Sequence, residues 1–152
     1  MVPSLTWACT SLAIISCALS AFAGVISAPT SSEVVAKGDS FDFAYEDSNF
    51  CFDGYSQITV WLTDYAPTTA NLNSTGEFDQ GDYTYYFGSY LIANFGLPPL
   101  PPDGGFISPP TSLVMPELPS LVSGEEVYLA VVETGTECQP VSVTMTYSTL
   151  AI

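Results

Sequence analysis

The chain contains no histidine and no arginine, and Lys37 is its only basic side chain. Without imidazole there is no Ser-His-Asp or Cys-His nucleophile, no usual zinc or copper site and no imidazole proton transfer. Without arginine, and with one lysine, phosphoryl-transfer clamps are missing and Schiff-base chemistry has almost no candidate. Sixteen carboxylates face that single ammonium, for a formal charge of −15. Nucleic acid and anionic membrane surfaces are therefore poor partners. Folding brings these like charges together, so the protein is expected to be more stable in mildly acidic than in neutral solution. Carboxylate chemistry is the only acid/base chemistry the composition leaves.

Cysteine is scarce as well. The chain opens with an apolar run from Leu12 to Ala23 and offers Ala21-Phe22-Ala23 before Gly24 as a small-x-small cleavage site. Residues 1–23 read as a secretory signal peptide. The run is shorter than the roughly 20 apolar residues a membrane span needs, and Ser16 and Ser20 interrupt it. Its removal takes Cys9 and Cys17 away and leaves Cys51 and Cys138, which in an oxidising compartment permit one connectivity. The C-terminal residues Tyr147 to Ile152 carry no long hydrophobic tail, so no lipid anchor is expected. The expected product is a secreted, extracellular monomer, with no membrane association after cleavage.

What remains is rich in strand patterns. Val127 to Val132 is apolar on both faces, as in a strand covered on two sides. Beyond a short loop holding Cys138 and Pro140, Val141, Val143, Met145 and Tyr147 alternate with Ser142, Thr144, Thr146 and Ser148, which predicts one buried and one wet face. Phe41, Phe43 and Tyr45 alternate with Asp42, Ala44 and Glu46 in the same way. In Ile58 to Thr63 the residues Ile58, Val60 and Leu62 face the core, which places Trp61 on the other side with Thr59 and Thr63. Tyr83 to Ile92 predicts a long strand with a bulge or bend at Gly88. Residues 24–32 are expected to be a flexible arm. Residues 97–119, with their many prolines, are expected to form a polyproline-like connection, its apolar residues Leu97, Leu100, Phe106, Ile107 and Leu113 packing across the sandwich and over Trp61. The expected fold is all-β: a single immunoglobulin-like β-sandwich of about seven strands over residues 33–152.

Four groups of residues are candidates for chemistry or recognition. Calcium is the cation that a histidine-free, carboxylate-rich surface could hold, since it takes oxygen ligands in irregular geometry. Glu46, Asp47 and Asp53 approach one strand, and Glu133 and Glu137 approach the last hairpin loop, so a sandwich would bring them to one end. Glu77, Asp79 and Asp82 form a second acidic group. No other cofactor is expected. Asn73-Ser74-Thr75 is an acceptor for N-linked glycan in a loop. Trp61 and the tyrosines Tyr83, Tyr85, Tyr86 and Tyr90 are candidates for stacking against sugar rings; alternation places Tyr83 and Tyr85 on one strand face and Tyr86 and Tyr90 on the other. The fourth group is a carboxylate pair able to run a glycan hydrolase, for which no spacing singles out two residues.

The leader, the segment Val34-Val35 with Gly38-Asp39 and Phe41, and the run from Gly124 through Val127–Val132 to the Cys138 hairpin together resemble small secreted fungal proteins with an immunoglobulin- or fibronectin-like sandwich. The resemblance implies fold and location and carries no activity. The function expected is that of a secreted, non-enzymatic module acting through its surface, with a glycan or an extracellular protein as partner. A carboxylate-based glycan hydrolase and a purely structural secreted protein are the alternatives.

Overall fold

The computed structural model describes residues 24–47, 54–93, 97–98, 100, 107–135 and 142–152. Among them are the nine strands β1 (Val25–Ala28), β2 (Glu33–Val34), β3 (Ser40–Asp42), β4 (Ala44–Glu46), β5 (Tyr55–Thr63), β6 (Tyr85–Ala93), β7 (Ser112–Val114), β8 (Glu126–Gly135) and β9 (Ser142–Ala151), with one 3-10 turn at Thr69–Asn71. The protein is all-β, as its alternating segments predict. No helix among the described residues is long and apolar enough to cross a membrane.

The main sheet has the order β2-β9-β8-β5-β6. Its long central strands are antiparallel, and the short β2 lies parallel to β9 at the edge. Facing it are two small sheets, β1-β4 and β3-β7. The Phe41/Phe43/Tyr45 segment supplies one strand to each, changing partner at Phe43, whose amide donates to the Thr111 carbonyl at 2.9 Å. Its alternation holds: Phe41 and Phe43 are buried, while Asp42, Ala44 and Glu46 are exposed. Between the layers lies the principal core, with Ile58, Val60 and Leu62 of β5 and Val127, Leu129 and Val131 of β8 against Phe41, Phe43, Leu113 and Met115. Fully burying one such aliphatic side chain contributes roughly 1.5–3 kcal/mol.

Both faces of β5 and β8 are covered, and the second cover differs from the expected one. A smaller core of Trp61, Phe78, Ala130 and Val132 sits on the outer face of the main sheet, with Leu72, Tyr83 and Met145 packed against it. Trp61 is only 5% exposed, and its cover is the connection between β5 and β6 rather than residues 97–119. That connection is tied down where it crosses. The Thr63 hydroxyl donates to the Tyr65 carbonyl at 2.7 Å, the Tyr65 hydroxyl to the Asp82 carbonyl at 2.8 Å, and Leu72 bridges Phe78.

Three further expectations are corrected. Residues 24–32 are not a flexible arm: Val25–Ala28 pairs with β4, Ile26 packs on the core, and the buried Ser148 hydroxyl donates to the Pro29 carbonyl at 3.1 Å. The proline-rich connection is not coil throughout, because Ser112–Val114 pairs with β3 and seats Leu113 and Met115 in the core. Ile107, expected to pack, is 66% exposed; Leu97 and Leu100 line a shallow groove with Leu91, Ile92 and Ala93, and Phe106 lies outside the described residues. In β9 the faces are the reverse of those expected. Thr146 and Ser148 stand opposite Val131 and Leu129 on the inner face, while Met145 and Tyr147 stand opposite Val132 and Ala130 on the outer one. The buried Leu150 and Ile152 set this parity. Met145 loses nothing by it, since the Trp61 cluster receives it outside.

Candidate ligand-binding surface

The outer face of the main sheet carries one straight cross-strand row. Tyr147 of β9 is opposite Ala130 of β8, Ala130 is opposite Trp61 of β5, and Trp61 is opposite Tyr86 of β6. Three strand spacings separate the ends of the row, about 14 Å. The middle is buried and the ends are not: Tyr147 is 44% exposed and Tyr86 39%. Each exposed ring is braced by a neighbour. Tyr86 lies over the Trp61 indole with centroids 4.2 Å apart and planes tilted by 36°. Tyr147 meets Tyr128 edge-on at 5.5 Å. The indole is itself fixed, since its Nε1–H donates to Thr59 Oγ1 at 2.8 Å and Phe78 and Tyr83 meet it edge-on at 5.6 and 4.7 Å.

This arrangement sorts the stacking candidates differently from simple alternation. β6 carries a register shift where Val60 pairs with Gly88 but Trp61 pairs with Tyr86. Phe87 is therefore the extra residue of a bulge next to Gly88 (φ 146°), where the sequence predicts one. The bulge resets the parity, so Tyr86 and Tyr90 do not share a face. Tyr90 stands opposite Ile58 on the inner face, packed on the principal core, and its hydroxyl donates to the Phe87 carbonyl at 3.1 Å. Tyr85 also turns inward, opposite Leu62, and meets Phe87 edge-on at 5.0 Å. Tyr83 precedes the strand and joins Tyr86 around Trp61. The candidates thus divide into an outer group of Trp61, Tyr83 and Tyr86 and an inner group of Tyr85 and Tyr90. Trp61 is a support within the outer group rather than a surface. Tyr147, assigned to the core by its apolar neighbours in sequence, belongs to the outer face. Burial, followed by the negative charge of Glu77, pushes the Tyr86 phenol above its ordinary value, so it stays a hydrogen-bond donor at neutral pH.

The acidic candidates at the end of the sandwich are partly brought together. The Tyr45 hydroxyl of β4 donates to Glu133 Oε2 of β8 at 2.6 Å, which joins the two layers where β4 and β8 end. Glu133 is 3% exposed and Glu46 is exposed on the opposite side of β4 from Tyr45. Burial, then the hydrogen bond to Glu133 and the charges of Glu133 and Asp47, push the Tyr45 phenol far above its ordinary value. Asp53 and Glu137 lie outside the described residues. Among those described, no three carboxyl groups converge as metal ligands. In the second acidic group, Asp79 accepts from Asn73 Nδ2 at 3.0 Å, and Glu77 Oε2 lies 3.4 Å from the Thr75 hydroxyl oxygen.

Asn73 heads a tight turn in the outer connection. Its Oδ1 accepts from the Thr75 amide at 2.9 Å, the Thr75 hydroxyl at 2.6 Å and the Glu77 amide at 3.1 Å. The acceptor triplet is partly exposed and lies on the same side of the main sheet as Tyr86. Cys51 and Cys138 lie outside the described residues. The flanking strand ends do adjoin: Gln57 pairs with Thr134, and Gly135 with Ser142.

No protein-family model, curated protein or solved structure matches the chain.

Proposed function

We propose that this is a secreted, non-enzymatic β-sandwich that binds glycan through the outer face of its main sheet. The observation that carries the reading is the half-exposed Tyr86 ring held on a buried, hydrogen-bonded indole. Such a ring offers a flat apolar face with little rotamer freedom left to lose, which is what stacking on a sugar ring requires. Tyr147, about 14 Å away at the other end of the row, offers a second contact to an extended chain several sugar units long. The sheet order β9-β8-β5-β6 facing β1-β4 and β3-β7 supports the immunoglobulin-like reading of the fold, in which the sheet carrying the last two strands extends beyond its central pair. Adjoining strand ends on either side of positions 51 and 138 support a Cys51–Cys138 disulfide, and the secretory leader supports its formation. Asn73 fits as a glycan acceptor, and enzymatic deglycosylation of the secreted protein should then lower its mass by one N-glycan.

The test is a panel of immobilised plant, fungal and bacterial wall glycans at mildly acidic pH, run beside a reducing-sugar release assay. Binding without release is the expected result. Release would favour a carboxylate hydrolase, and silence in both assays would favour a structural role.

A further inference from the structure

The outer face of the main sheet sets negative charge beside its exposed rings at both ends of the row. On β8 the alternation that points Ala130 outward points Tyr128 and Glu126 outward as well. Glu126 is exposed, its Oε2 lies 3.5 Å from the Tyr128 hydroxyl oxygen, and the Tyr128 ring meets Tyr147 edge-on. At the other end the charge comes from the β5–β6 connection. Glu77 is exposed and directly precedes Phe78, the ring packed on the same Trp61 indole that supports Tyr86. Its backbone is fixed at that place: the Glu77 amide donates to Asn73 Oδ1 at 3.1 Å, and its carbonyl accepts from the Asn73 amide at 2.8 Å. Burial first and the Glu77 charge second raise the Tyr86 phenol, in keeping with this placement. The connection also carries Asp64, Asp79 and Asp82, all exposed, and has no basic residue.

No cationic side chain accompanies these carboxylates. Lys37, the only basic side chain, follows β2, which lies four strand spacings from β6, about 19 Å across the sheet. From there the chain turns into the facing layer: the Gly38 amide donates to the Met115 carbonyl, and Lys37 Nζ donates to the Leu118 carbonyl at 3.3 Å. A ligand laid along the row therefore meets two flat rings with a carboxylate near each. Such a field repels an acidic glycan, and a neutral one would meet the rings alone. A single metal ion does not fit either, because among the described residues no three carboxyl groups converge as ligands. The charge is spread along the row, which suits a cation repeated along a chain. The ring faces themselves attract cations.

We propose that the ligand of this face is a glycan of amino sugars with free amines, a polycation whose sugar rings stack on Tyr86 and Tyr147 while its ammonium groups lie beside Glu77 and Glu126. The inference rests on the glycan-binding reading of the outer face and narrows it to one chemical class. A lysine-rich polypeptide carries the same charge. Its long side chains, however, lose more rotamer freedom on ordering and present no flat apolar face to two braced rings. Stacking supplies the fit, and the carboxylates supply the preference for an amine over its acetylated or acidic counterpart.

The test is a calorimetric titration of the full chain, expressed through a eukaryotic secretory pathway, at mildly acidic pH where the sugar amine is protonated. The probes are the glucosamine hexamer, its fully N-acetylated counterpart and hexalysine. The glucosamine hexamer should bind at least tenfold more tightly than either of the others, and Tyr86→Ala should weaken it at least tenfold. The double variant Glu77→Gln/Glu126→Gln should weaken it at least fivefold. The same loss of charge from the facing layer, Asp42→Asn/Glu117→Gln, should leave it within about twofold of wild type. These four carboxylates are exposed, so their replacement does not disturb the core. Hexalysine binding as tightly as the glucosamine hexamer, or an equal loss in the two double variants, would show attraction by net charge alone and overturn the proposal. A neutral glycan bound as tightly as the glucosamine hexamer, with Tyr86→Ala weakening it, overturns the amino-sugar inference and leaves the glycan-binding reading intact. No binding of any glycan overturns both.

Discussion

Tyr45 is the residue on which the two layers depend most directly at the β4–β8 end. Its hydroxyl satisfies a carboxylate that has almost no access to water, and removing one partner of a buried charged hydrogen bond costs about 1–3 kcal/mol. Tyr45→Phe should lower stability by that amount in urea unfolding at pH 7. The same residue gives the protein an alkaline limit. The folded phenol is pushed above its unfolded value by burial first and the Glu133 hydrogen bond second, and Tyr65, Tyr86 and Tyr90 are shifted in the same direction, chiefly by burial. A raised folded pKa contributes stability that is fully present below the unfolded value, about 10 for a phenol, and is lost as pH rises through the folded one. Stability should therefore fall above about pH 10, and the gap between the wild type and Tyr45→Phe should narrow there, because phenylalanine has no proton to lose. Parallel pH profiles for the two proteins above that point would contradict the assignment.

At the scale of elements, the connection between β5 and β6 acts as a third layer. Phe78 is its anchor, buried edge-on against Trp61. Phe78→Ala should cost about 3–5 kcal/mol, the range for emptying a core aromatic site. It should also shift Trp61 emission to the red; the other tryptophan, Trp7, falls in the expected leader, so the signal has one source. An unchanged emission maximum would show that the cover does not depend on this ring. The third layer was not legible in the sequence, and its omission explains the misplaced faces. Residues 64–82 read as a polar loop because Leu72 and Phe78 are isolated apolar residues without period. Alternation alone then points the apolar row of β9 inward, for want of an outer core to receive Met145. By contrast, β5, β8 and the Phe41/Phe43/Tyr45 segment were legible because alternation or continuous apolarity tracks burial directly. The Gly88 bulge was legible too, but its effect was not, since one extra residue moves every later side chain of β6 to the other face. For that reason the sequence groups Tyr86 with Tyr90 while the fold groups it with Tyr83.

For the molecule as a whole, charge is the dominant departure from an ordinary domain. A formal charge of −15 with one lysine makes self-repulsion a property of the compact state. Adding monovalent salt at neutral pH should raise the melting temperature by screening it. A melting temperature that falls on mild acidification and gains nothing from salt would mean that local contacts hold the carboxylates favourably. A Cys51–Cys138 bridge, closing most of the domain into one loop, should add roughly 4–5 kcal/mol in the chain-entropy view. Intact mass with and without reductant should differ by two hydrogens, and two free thiols in protein expressed through a secretory pathway would exclude the bridge. The most direct measurement of glycan binding by the outer face is a titration of the best glycan from the panel against Tyr86→Ala and Tyr85→Ala. The two tyrosines are equally exposed, at 39%, and lie one residue apart on opposite faces of the same strand. Tyr86→Ala should weaken binding at least tenfold, about 1.4 kcal/mol, with Tyr85→Ala within about twofold of wild type. Unchanged affinity in Tyr86→Ala, or an equal loss in both variants, would contradict recognition through the outer face.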